Sequence, residues 1–78
     1  MNRAIKRNDD RFVVVEEIIT GSGTSYQAYC NHGTGRCGGY SLSAVANMAS
    51  DYSTANGAKK AYLKKDEFAE IESGYQSL

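Results

Sequence analysis

The stretch "RFVVVEEIIT", residues 11–20, constrains this chain more than any other. Its β-branched residues favour an extended backbone, in which successive side chains point to opposite faces. Phe12, Val14 and Ile18 then share one face, and Val13, Val15 and Ile19 share the other. A strand that is apolar on both faces has to be covered twice. In a chain of 78 residues that demand is severe, because a domain of this size hides only about 60% of the surface its unfolded form exposes. With only short helices left to supply cover, one face or edge of the sheet is expected to stay unfilled within a monomer. Unfilled edges and apolar patches are association sites.

The glycines of "GSGT" supply a turn, and "SYQAYCNH" follows it with clean alternation. Tyr26, Ala28 and Cys30 face one way, and Gln27, Tyr29 and Asn31 the other. This predicts an antiparallel hairpin. Farther on, Leu42, Val45, Ala46 and Ala49 recur at helical spacing, with Ser41 or Ser43 placed to cap the start. Lys59, Lys60, Lys64 and Lys65 precede Asp66, Glu67, Glu70 and Glu72. One helix holding all of them would oppose its own dipole, so a break at Lys65 and Asp66 is expected. The fold class that follows is α+β: strands about 11–20 and 25–32, room for a third at 61–65, and two or three short helices at about 41–52, 58–65 and 66–77. Residues 1–10 are polar and aperiodic, which reads as a flexible N-terminal arm ahead of one small domain over 11–78.

Nine basic and nine acidic residues balance. Nucleic-acid affinity comes largely from neutralising phosphates, so the four lysines read as a solvated helix face rather than a nucleic-acid contact. No run is long and apolar enough to span a membrane, and no signal segment is apparent, which points to a cytoplasmic protein with reduced thiols.

"CNHGTGRCGG", residues 30–39, holds both cysteines, the only histidine and four of the eight glycines. Cys30, His32 and Cys37 are the weak metal candidates: they supply three ligands where a structural zinc takes four, and their spacing is not that of paired ligands. No metal or other cofactor is expected. Gly33, Gly35 and Gly38 match a phosphate-binding glycine pattern, although the chain is too short for a dinucleotide-binding sheet. A humbler anion site would use Gly33, Gly35, Arg36, Gly38, Gly39 and Ser41 at a helix start, taking a nucleotide or other small phosphorylated ligand. The simpler reading is a bend that turns a hairpin into a helix. The cysteines and His32 lack an orienting third group and an oxyanion cradle, so no catalytic residue is assigned and the chain reads as non-enzymatic.

Six tyrosines, at 26, 29, 40, 52, 62 and 75, are more than one small core can hold, and tyrosine suits protein interfaces. Tyr26, Tyr29 and Tyr40, together with Val13 and Val15, are the candidate interface. The functional expectation is a small adaptor or inhibitor that binds another protein and itself as a homodimer. By analogy of size alone it belongs with accessory proteins of phages and mobile elements.

Overall fold

The computed structural model describes residues 2–63 and 76–77. Five strands form one sheet: β1 (Asn2–Lys6), β2 (Phe12–Thr20), β3 (Gly23–Cys30), β4 (Gly35–Gly39) and β5 (Gln76–Ser77). Their order is β4-β3-β2-β1-β5. The first four run antiparallel in a meander, and β5 pairs parallel with β1. Two helices are described, α1 (Leu42–Met48) and α2 (Ala55–Leu63). The α+β class read from the sequence holds.

The two-faced β2 sits at the centre of this arrangement, and its first half is fully covered. On one face Val13 and Val15 join Ile5, Ala28 and the α1 residues Val45 and Ala46 in a core that ends at Ala49. On the other face Val14 packs with Ala58 and Tyr62 of α2, bordered by Phe12, Tyr29 and Tyr52. Val13, Val14 and Val15 are at most 1% exposed. The expectation that this segment needs a second chain is therefore corrected for residues 13–15: one helix lies on each face. Among the described residues each face carries one helix.

The helices can sit on opposite faces because of the link between them. The ladder between β2 and β3 ends at the pair Glu16 and Gln27. Beyond it, residues 50–52 occupy the gap. Ser50 donates its N–H to the Tyr29 carbonyl at 2.8 Å, and Tyr52 exchanges two backbone bonds of 2.8 Å with Phe12. The helix expected over 41–52 accordingly stops at Met48, where Ala49 turns extended and the chain enters the sheet.

Other boundaries also move. The flexible arm is instead strand β1, with Ala4 and Ile5 fully buried against β2. Two apolar residues are too few to show a period, and the turn over residues 7–11, with Asp10 at φ 61°, is what brings them onto β2. The helix expected from 58 begins at Ala55, because the Thr54 hydroxyl caps it by accepting from the Gly57 N–H at 3.0 Å. Residues 61–63 belong to that helix, so a third strand does not form there. The break at Lys65 and Asp66 and most of the helix expected over 66–77 lie outside the described residues, whereas Gln76 and Ser77 are strand. No described helix is long and apolar enough to cross a membrane.

Candidate interaction surface

Glycine decides the character of β4. Residues 35–39 read GRCGG, and the sequence reading placed a bend here; they form instead the last strand of the sheet. Among the described residues β4 has one ladder neighbour, β3. The Tyr29 carbonyl points to Ser50, away from β4, so alternation along β3 turns Ala28 toward its partner Cys37. Gly38, next along β4, then directs its own N–H and C=O outward. A side chain at Gly38 would meet the Tyr26 carbonyl oxygen at 3.0 Å and the Gln27 side chain at 3.4 Å. With a Cβ at this position the strands would have to part by a few tenths of an ångström.

The absent side chains leave a hollow. Gly38, Gly39 and Tyr40 with Ser25, Tyr26 and Gln27 line a cavity of about 350 Å³. Tyr40 and Ser25 also border a second cavity, of about 230 Å³, against the hairpin tip at Thr20 and Thr24. Tyr40 itself is 88% exposed, and Ile19, paired across the hairpin with Thr24, is 73% exposed. The two most exposed large apolar side chains of the described residues thus lie toward the hairpin end of the sheet: Tyr40 lines both cavities, and Ile19 pairs with Thr24, which lines the second. Helix α1 packs on the sheet through Val45, Ala46 and Leu42 and reaches Gly39, where Val45 lies against the strand; Ile19 and the hairpin tip at residues 20–23 stay exposed beyond it. The sequence marked Tyr40 but missed Ile19. Its hydrophobicity reads as core, and only the distance from the helices to the "GSGT" turn signals otherwise.

The remaining candidate residues divide. Val13 and Val15 are core and are corrected as interface residues, because α1 covers them. Tyr26 and Tyr29 are half-buried on opposite faces. Tyr29 stands edge-on to Tyr62 at 5.5 Å and carries the Arg36 guanidinium over its ring at 4.8 Å. Arg36 also bonds Gln27 at 2.7 Å and Glu16 at 3.4 Å. Its charge is thus already answered within the sheet. Of the glycines proposed as an anion seat, Gly33 ends a single 3-10 turn, and Gly35, Gly38 and Gly39 run along an extended strand that spans about 13 Å, rather than curling around a point. Ser41 spends its hydroxyl on the Ala44 N–H at the start of α1.

The metal candidates are also separated. Cys37 lies on the α1 face, and Cys30 shares that face by alternation. His32, at φ 53°, stands edge-on to Tyr52 at 6.2 Å on the α2 side. No group of three metal-ligating side chains occurs among the described residues. Both cysteines are free thiols. Burial and the neighbouring Cys30 thiol push the Cys37 thiol up to about 11, the opposite of what a nucleophile requires.

No family model, curated protein or solved structure was found to match the chain.

Proposed function

We propose that this protein is a non-enzymatic binding protein whose docking site is the β4 edge and the hairpin end beside it, and that its partner is a second copy of the same chain. The observation that carries the reading is Tyr40, 88% exposed at the end of a sheet-edge strand. An incoming extended segment would pair with the outward backbone groups of Gly38 and place its side chains in the hollow floored by Gly38 and Gly39. Tyr40 beside the hollow and Ile19 near the hairpin tip would supply aromatic and aliphatic contact area. A net charge of zero adds no long-range repulsion between two copies. The non-enzymatic part of the reading is supported by the raised Cys37 thiol and by the position of His32 across the sheet from both cysteines.

Sedimentation velocity over a wide concentration range tests this directly. The native chain is expected to self-associate, and the double variant Ile19→Ser with Tyr40→Ser to remain monomeric with an unchanged circular dichroism spectrum. A native chain that stays monomeric throughout, or a double variant that associates as well as the native chain, would refute the proposal.

A further inference from the structure

The two thiols stand in a particular relation that the docking surface does not use. In the ladder between β3 and β4, Cys30 lies opposite Gly35 and Cys37 lies opposite Ala28. The cysteines therefore occupy one diagonal of a cross-strand square and point to the same face, while the other diagonal holds the two smallest side chains. A Cβ on Gly35 would stand 3.8 Å from the Cys30 sulfur, which shows that this sulfur leans over the glycine toward β4. The Cys37 sulfur lies 3.5 Å from the Ala28 carbonyl oxygen, toward β3. Each thiol thus reaches toward the other strand, and both are only partly buried.

We propose that Cys30 and Cys37 form a reversible intramolecular disulfide that clasps the end of β3 to β4. Diagonal neighbours in an ideal ladder are about 7–8 Å apart, and a disulfide takes Cα separations of roughly 4.4–6.8 Å, so closure needs a shift of at least about 0.2–1.2 Å. Cys30 is placed to make it. It is the last residue of β3, and Asn31 and His32 after it both take φ of 53° in a turn rather than a ladder. A bond that draws a strand end inward is of the labile, reducible kind.

The oxidant is a low-molecular-weight disulfide such as oxidised glutathione. The Cys30 thiolate attacks one of its sulfurs, the S–S bond of the oxidant breaks, and one glutathione thiolate leaves. Cys37 then loses its proton, attacks the Cys30 sulfur and expels the second glutathione. The protein gives up two electrons and two protons; the oxidant becomes two glutathione thiols. Cys30, at the strand end that can move, is the first attacker, and Cys37, held within the β4 ladder, is the resolving group.

The folded chain is equilibrated with mixtures of reduced and oxidised glutathione, quenched with acid, and read by intact mass. The expected product has lost two hydrogens per chain, keeps its circular dichroism spectrum, migrates as a single chain on a denaturing gel without reductant and returns to the dithiol with dithiothreitol. Cys30→Ser and Cys37→Ser are each expected to prevent it. At one glutathione ratio the disulfide-to-dithiol ratio should be about tenfold higher in the folded chain than in urea, because folding holds the thiols together. A ratio no higher than that of the unfolded chain overturns the proposal. So does oxidation that yields only glutathione adducts or chain-to-chain dimers. The readout does not depend on the docking site, so either proposal can fail without the other.

Discussion

Truncating the two adjacent valines at the centre of β2 separates the cores that they serve. Val13 and Val14 are each fully buried, Val13 beneath α1 and Val14 beneath α2. Val13→Ala or Val14→Ala removes two carbon groups. At about 0.8 kcal/mol per buried CH₂ the lost transfer energy is about 1.6 kcal/mol. A residual cavity of roughly 50 Å³ adds about 1 kcal/mol at about 24 cal/mol per Å³. Each substitution should therefore cost about 2–3 kcal/mol. A chain of this length has a stability on the order of 4–12 kcal/mol, so either change is a large fraction of the total. The side chains belong to separate clusters but share one stretch of backbone, so the departure of the double variant from the sum measures the coupling between the two cores. Urea unfolding followed by circular dichroism at low protein concentration measures this, with an unchanged m-value showing that only stability has moved. If Val14→Ala costs less than about 0.5 kcal/mol while Val13→Ala costs its full amount, α2 does not cover its face in solution and the two-core description is wrong.

Gly38→Val should destabilise by about 1–3 kcal/mol, because its Cβ meets the Tyr26 carbonyl oxygen at 3.0 Å; thermal melts that match the native chain would show that β4 does not lie as described. Tyr62→Phe removes the hydroxyl that donates to the Tyr29 carbonyl at 2.9 Å. That carbonyl keeps its bond from Ser50, so the expected loss is only about 0.5–1.5 kcal/mol in urea titration, and a loss above about 3 kcal/mol would mean that the ring itself repacks. The Arg11 bond at 2.8 Å, aided by the charge of Arg7, holds the Asp51 carboxyl below the ordinary carboxylate range. Its contribution is present above the carboxyl's unfolded pKa and is lost as pH falls through the lower folded value. Asp51→Asn should therefore destabilise at neutral pH by about 0.5–1.5 kcal/mol and flatten the acid limb of the stability profile; an acid limb identical to that of the native chain would contradict the assignment.

Much of this fold is legible in the sequence where a pattern is long enough to repeat. The alternation of β2 and β3 and the spacing of Leu42, Val45, Ala46 and Ala49 each carry several consistent positions, and each forms its expected element. β1 offers only Ala4 and Ile5 between charged residues, so nothing local separates it from a frayed end, and its burial follows from pairing with β2. β4 reads as a loop because three of its five residues are glycine, which weakens a strand. It forms because β3 supplies a complete ladder and Gly38 permits close approach. At the candidate site Tyr40 is visible as an excess tyrosine, whereas Ile19 looks like core until the reach of α1 is known. The inference that β2 requires a partner fails for a nameable reason: periodicity shows that both faces want cover but not where the cover comes from. Residues 50–52 carry the chain from one face to the other.

That strap also imposes an order of events on folding. The meander from β1 to β4 joins sequence neighbours and closes only short loops, so it can assemble early. Helix α2 reaches its seat on Val14 only after residues 50–52 have filled the gap between β2 and β3, and they can do so only once α1 has ended on the opposite side. Docking of α2 is then the late step, and loosening of the strap releases it first. Its amide protons should exchange with solvent sooner than those of the central strands.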